Sequence, residues 1–113
     1  MESLHIAVHI ARPADLVYDY TRQRSNLATW ATGVSESMQI EFAAVNELGV
    51  LDHWAVVDGV RYYNPMRVIP DGDGAELVFT LRRLPGTSDD DFANDAATIE
   101  SDLARLKDLL EAG

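Results

Sequence analysis

The feature that most constrains this chain is a stretch of alternating apolar and polar residues between about residues 38 and 83, interrupted by three turn signals. Alternation with a period of two is typical of a β-strand with one buried face. The turn signals are Asn46-Glu47-Leu48-Gly49, Asp58-Gly59 and Asp71-Gly72-Asp73-Gly74. Asp-Gly in particular favours a two-residue hairpin. The pattern predicts four consecutive antiparallel strands, at about residues 38–44, 49–57, 60–69 and 75–83.

The turns also predict which side chains share a face, because side chains alternate across a strand. A two-residue loop at Asp58-Gly59 places His53 opposite Asn64, and the same parity carried through the other two turns gives one mostly apolar face. Its apolar members are Met38, Ile40, Phe42, Ala44, Leu51, Ala55, Val57, Val60, Met66, Val68, Leu77, Phe79 and Leu81. His53, Asn64 and the Tyr62 hydroxyl are the polar groups on this face, and they are costly to bury without partners.

The opposite face of the predicted sheet is polar. Asp52 and Arg67 are diagonal neighbours there, so we expect an ion pair worth under ~1 kcal/mol.

The rest of the chain predicts one strand and several helices. Residues 4–10 alternate, and short apolar stripes follow at Leu16, Val17 and Tyr20 and again at Leu27 and Trp30. After Ser88, six residues fall on one stripe of a long helix, with Asp102 largely off it: Phe92, Ala96, Ile99, Leu103, Leu106 and Leu110. The predicted order is strand, helix pair, four strands and long C-terminal helix, an α+β arrangement.

Composition excludes several function classes. The 113 residues predict a single domain, 1–113, and a net charge of −10 disfavours nucleic acid and anionic membranes as partners. No apolar run reaches the ~20 residues of a membrane span. Cysteine is absent, which agrees with a cytoplasmic location. No residue set has the spacing of a metal site or a phosphate-binding loop, so we expect no metal and no cofactor.

Several local motifs resemble a known superfamily. They are PADLVYDY (13–20), NLATWA (26–31), NELGVLDHW (46–54), NPMRVIP (64–70) and VFTL (78–81). Together with the element order they are similar to the START/Bet v 1-like (SRPBCC) superfamily, and to its bacterial polyketide cyclase/dehydrase-like subgroup. The resemblance implies a helix-grip fold, in which a curved antiparallel sheet wraps a long C-terminal helix and encloses an apolar ligand.

One departure from the superfamily pattern concerns the number of strands. Seven strands are usual, but residues 33–37 leave no room for a hairpin before Met38, so about five strands are expected. The strand at residues 38–44 then becomes an exposed edge with Ile40, Phe42 and Ala44 on one side. Exposed edges pair with other chains, so we predict a homodimer through this strand.

Three functions remain open, and we rank binding of an apolar or aromatic small molecule first. The expected pocket residues are Phe42, Tyr62, Met66, Phe79, Leu81, Phe92, Ile99 and Leu103, with Trp30 near the mouth and His53, Asn64 and Tyr62 orienting the ligand. Second is a dimerising interaction module with little or no cavity, in which His53 and Asn64 satisfy each other in the core. Third is a cyclase- or dehydratase-type enzyme with His53 as general acid or base.

Overall fold

The computed structural model describes residues 2–35 and 37–113, so Met1 and Glu36, which lies in the short link 33–37, are outside the described residues. Six strands form: β1 (Ser3–Ile10), β2 (Gln39–Phe42), β3 (His53–Val57), β4 (Val60–Asn64), β5 (Met66–Asp71) and β6 (Gly74–Arg82). The helices are α1 (Ala14–Thr21), α2 (Leu27–Trp30) and α3 (Asp89–Ala112), with a 3₁₀ turn at Arg24–Asn26 before α2. The α+β class and the element order predicted from the sequence are confirmed.

The strand register follows the predicted turns. Asp58 (φ 50°) and Gly59 (φ 78°) adopt the left-handed backbone that a two-residue hairpin needs. As a result His53 pairs with Asn64 across β3 and β4, and Phe42 pairs with His53 across β2 and β3. The parity derived from the sequence is therefore confirmed where these strands pair.

Pro65 divides the predicted strand 60–69 into β4 and β5. The Thr80 amide still donates to the Pro65 carbonyl over 2.9 Å, but Pro65 has no N–H to return a hydrogen bond. Pairing between β5 and β6 consequently ends at Met66 and Phe79, and β4 joins β2 and β3 instead. The result is two three-stranded sheets, in the orders β1-β6-β5 and β2-β3-β4, rather than the five unbroken strands expected.

The segment before β3 joins the two sheets. The Leu51 amide donates to the Met66 carbonyl over 2.8 Å, and the Val68 amide donates to the Gly49 carbonyl over 2.9 Å. Gly49 has φ 72°, and a Cβ there would lie 2.2 Å from the Val68 carbonyl oxygen. Only glycine permits this approach, and together with the bridge between Val50 and Arg67 it connects the two sheets beside Pro65.

The long helix α3 packs unevenly on this surface. Ser88 caps it by accepting a hydrogen bond from the Asp91 amide over 3.1 Å. The C-terminal half of α3 lies over β1, where Leu106 is fully buried in the core and Leu103 and Leu110 are nearly so. The N-terminal half makes few contacts with β2, β3 and β4, although Phe92 in its first turn is buried beside Arg83, whose guanidinium lies 5.3 Å from the ring centre.

The strand β2 lies at the edge of its sheet and follows the loop after α2. In the described part of the interval between α2 and β2, no strand forms. Among the residues described, no helix is long and apolar enough to cross a membrane.

Candidate functional site

A cavity of about 1050 Å³ lies between the sheet β2-β3-β4, the end of β6 and the N-terminal half of α3. It exists because β4 leaves β6 at Pro65 while α3 continues along β1. All eleven residues proposed from the sequence line it: Trp30, Phe42, His53, Tyr62, Asn64, Met66, Phe79, Leu81, Phe92, Ile99 and Leu103. The structure thus brings the predicted set together, while their contact with a ligand stays a prediction.

The polar centre of the cavity is the pair His53 and Asn64. His53 Nδ1 lies 3.0 Å from the Leu51 carbonyl oxygen. Because a carbonyl oxygen only accepts, the Nδ1 atom carries the proton and donates this hydrogen bond. The other ring nitrogen, Nε2, lies 3.4 Å from Asn64 Nδ2, longer than a well-formed N–H hydrogen bond.

The surroundings of His53 keep its ring neutral. Burial lowers the pKa of His53 below its usual 6.5, against the opposing influence of the Leu51 carbonyl and the Asp52 charge. Phe42 and Phe79 flank the imidazole, with ring centroids at 5.2 Å and 6.1 Å respectively. The site therefore presents a neutral imidazole between two aromatic rings.

The inner wall of the cavity consists of residues that also belong to the core. Met66 and Leu103 are each 1% exposed. Trp30 is also buried, so its predicted position near the mouth is wrong. It is held inside because α2 packs against α3, where Arg105 donates to the Trp30 carbonyl over 3.2 Å. Within the described residues, the buried indole nitrogen of Trp30 has no hydrogen-bond partner.

Asp102 is buried, although the helical pattern placed it largely off the apolar stripe. Its two carboxylate oxygens accept hydrogen bonds from Thr32, from the hydroxyl over 2.8 Å and from the amide over 3.2 Å. Arg105 Nη1 lies 3.5 Å from the same carboxylate. The loop after α2 covers this aspartate, and such a loop contact leaves no signal in the periodicity of a helix.

A row of polar residues on α3 was missed by the sequence reasoning. It runs beside the apolar stripe and lines the cavity: Asp91, Asn94, Asp95, Thr98 and Asp102. Spacings of three and four residues place these side chains on one flank of a helix. That spacing was visible in the sequence, but only the position of α3 shows that this flank borders a cavity.

Trp54, Arg61 and Tyr63 lie on the outer face of β3 and β4 and also border the cavity. Arg61 stacks over Trp54 at 4.8 Å and binds Glu41 over 3.0 Å. The expected ion pair between Asp52 and Arg67 is wrong, since no such pair forms between these two described residues. Asp52 instead accepts hydrogen bonds from the Tyr63 hydroxyl (2.6 Å) and the Met66 amide (2.9 Å), which engage both of its carboxylate oxygens.

Among the residues that the structure describes, no group of three His, Asp or Glu side chains could hold a metal ion. His9 lies 3.3 Å from Asp71 and His5 bonds the Thr80 hydroxyl, both on exposed positions outside the cavity. The polar groups that line the cavity are imidazole, amide, hydroxyl, carboxylate and guanidinium groups.

Comparison with known proteins identifies the fold. No family model and no curated protein matches the chain. Among solved structures, protein MLL2253 from Mesorhizobium loti superposes with a TM-score of 0.79 at 14% identity, covering 98% of each chain. Ara h 8.0201 superposes with a TM-score of 0.53 at 11% identity, covering 99% of each chain. The chain has the Bet v 1-like (SRPBCC) fold.

This helix-grip fold is also present in DynU16, a protein from the dynemicin biosynthetic locus, with a TM-score of 0.78 at 18% identity. The match covers 98% of this chain and 48% of DynU16, so the chain spans about half the length of that protein. The fold expected from the sequence motifs is confirmed. At these identities the comparisons establish the Bet v 1-like fold alone.

Proposed function

We propose that this protein binds an apolar or aromatic small molecule in the cavity between the sheet and α3. The observation that carries this proposal is the cavity itself, about 1050 Å³ with mostly apolar walls around one polar pair. Ligand sites in proteins are concave, largely apolar and furnished with a few convergent polar groups. Phe42, Phe79 and Leu81 supply apolar surface, and His53, Asn64 and Tyr62 supply polar contacts.

A cavity of this size also counts against the alternative of an interaction module with little or no cavity. A helix packed directly onto the sheet would leave His53 and Asn64 sealed in the core. Such packing would also close this face of the sheet. Tyr62, which lines the cavity, is instead 37% exposed, so one wall of the cavity is open to solvent.

The experiment is titration with a neutral fluorophore, N-phenyl-1-naphthylamine, whose emission increases in apolar surroundings. We expect saturable binding with one site per chain. Ala55→Trp, which fills the cavity from β3, should weaken binding at least tenfold. Val56→Trp is the matched control, because Val56 is the next residue on the same strand and faces the other side. Equal binding by both variants would place the fluorophore elsewhere and contradict the proposal.

A second candidate function is proton-transfer catalysis of the cyclase or dehydratase type, with His53 as the base. The observation in its favour is the neutral imidazole, whose lone pair on Nε2 can accept a proton. His53→Ala should then abolish turnover of a substrate while changing its affinity by less than about tenfold. Loss of affinity in that variant would favour binding alone.

We also propose a homodimer through β2, the edge strand that the sequence predicts. The Ala43 amide donates to the Asp52 carbonyl over 2.8 Å, so by alternation the amides of Ile40 and Phe42 face away from β3. A second copy can pair with these groups. Light scattering should give twice the chain mass at micromolar concentration, and a single-chain mass throughout would contradict the dimer. The cytoplasmic location expected from the sequence stays a prediction.

A further inference from the structure

The two nitrogens of His53 restrict the chemical class of ligand that the cavity can hold. Nδ1 is committed as a donor to the Leu51 carbonyl at 3.0 Å. In the neutral ring, Nε2 then has a lone pair and no proton, so it acts only as an acceptor. A ligand atom placed against Nε2 must therefore carry a hydrogen.

The acceptor at Nε2 is incompletely satisfied within the protein. Its contact with Asn64 Nδ2 is 3.4 Å, whereas N–H hydrogen bonds are usually about 2.9–3.1 Å long. The opposite orientation of the Asn64 amide would set two acceptors against each other, so the NH₂ group faces the ring. A buried acceptor with one long hydrogen bond gains from a better donor.

The groups around His53 favour an uncharged aromatic ligand. Phe42 and Phe79 flank the imidazole at 5.2 Å and 6.1 Å, spacings at which aromatic rings attract each other. The opposite wall carries Asp91 and Asp95 on α3, and the chain has a net charge of −10. Two arginines line the cavity: Arg61 on β4, which is paired with Glu41 and stacked on Trp54, and Arg82 at the end of β6. Beside His53, an anionic ligand would find no proton on Nε2 to accept, and across the cavity it would face Asp91 and Asp95.

We propose that the ligand is a neutral aromatic molecule with a hydroxyl group that donates a hydrogen bond to His53 Nε2. This inference rests on the proposed binding function and narrows it to one chemical class. The hydroxyl oxygen can in turn accept from Asn64 Nδ2, which lies beside Nε2. A carboxylate or an ether of the same ring system lacks the required proton.

The test is displacement of N-phenyl-1-naphthylamine by four matched probes: naphthalene, 2-methoxynaphthalene, 2-naphthol and 2-naphthoate. At pH 8, we expect 2-naphthol to bind about three- to tenfold more tightly than 2-methoxynaphthalene, the value of one net hydrogen bond. We expect 2-naphthoate to bind most weakly. In His53→Phe, the ratio between naphthol and methoxynaphthalene should fall to about one. His5→Phe, an exposed histidine on β1, is the control and should retain the ratio.

The outcomes separate this inference from the function on which it rests. If the four probes displace the fluorophore equally, or if 2-naphthoate binds best, the cavity binds apolar molecules but the inference is overturned. If the fluorophore itself does not bind, the proposed function fails. Nitrogen-15 NMR of the His53 ring supplies a readout on the unmodified protein, should His53→Phe not fold. A protonated Nδ1 and an unprotonated Nε2 support the inference, and the reverse tautomer overturns it.

Discussion

Truncating two apolar residues on α3 should show that this helix is packed unevenly, closely at Leu106 and loosely at Ile99 beside the cavity. Leu106→Ala and Ile99→Ala each remove three carbon atoms from the same helix. Leu106 is 0% exposed in the core, whereas Ile99 is partly buried and lines the cavity. Transfer of three buried carbons is worth ~2.4 kcal/mol at about 0.8 kcal/mol each. The void left at Leu106 increases the loss to about 3–5 kcal/mol.

For Ile99→Ala, about half of the transfer free energy applies and no new void is created, so the expected loss is about 1 kcal/mol. Helix propensity cannot produce this difference, because leucine and isoleucine differ in propensity by less than about 0.7 kcal/mol in a helix interior. The assay is equilibrium unfolding in urea, with the free energy of unfolding taken at unchanged slope. Equal losses in the two variants would refute the uneven packing of α3 and, with it, the cavity.

Further predictions concern charge and backbone geometry. Because burial lowers the pKa of His53, the stabilisation from its neutral ring is present above pH 6.5 and is lost as pH falls through the lowered pKa. Urea unfolding across pH 4–8 should therefore show that the free energy of unfolding of wild type and that of His53→Phe differ by an amount that depends on pH. A pH-independent difference would contradict this prediction. Asp102→Ala leaves two donors of the loop after α2 without their acceptor, so the free energy of unfolding should fall by about 2–4 kcal/mol. A decrease below about 0.5 kcal/mol in thermal unfolding would argue against the burial of Asp102. Gly49→Ala brings a Cβ against the Val68 carbonyl and should lower the free energy of unfolding by more than ~2 kcal/mol. Gly59→Ala, at a similar φ but in open space, should lower it by only about 1 kcal/mol. Equal chemical-denaturation midpoints for the two variants would contradict the joining of the sheets at Gly49.

The sequence predicted the faces of the strands well because side-chain parity is local. Once Asp58-Gly59 is read as a two-residue turn, the pairing of His53 with Asn64 follows from counting. Fold-level resemblance added the position of the long helix. Strand parity and the position of the long helix together explain why all eleven proposed residues line one cavity.

What the sequence did not predict depends on contacts between distant segments. The sequence shows that Pro65 has no backbone N–H to donate. Whether the strand ends there or continues with a new partner depends on the position of β6. Asp102 meets Thr32 through a loop that is 70 residues away in sequence. Trp30 was expected near the mouth, yet the contact of α2 with α3 buries it.

The central claim is that the cavity beside His53 holds a small apolar molecule, and native mass spectrometry tests it most directly. The protein, purified without denaturation and then mixed with N-phenyl-1-naphthylamine, should appear as the chain mass plus one small molecule per chain. Ala55→Trp should appear largely without it, and Val56→Trp should retain it. A wild-type chain that appears only as the bare mass, under conditions that preserve its fold, would contradict the account.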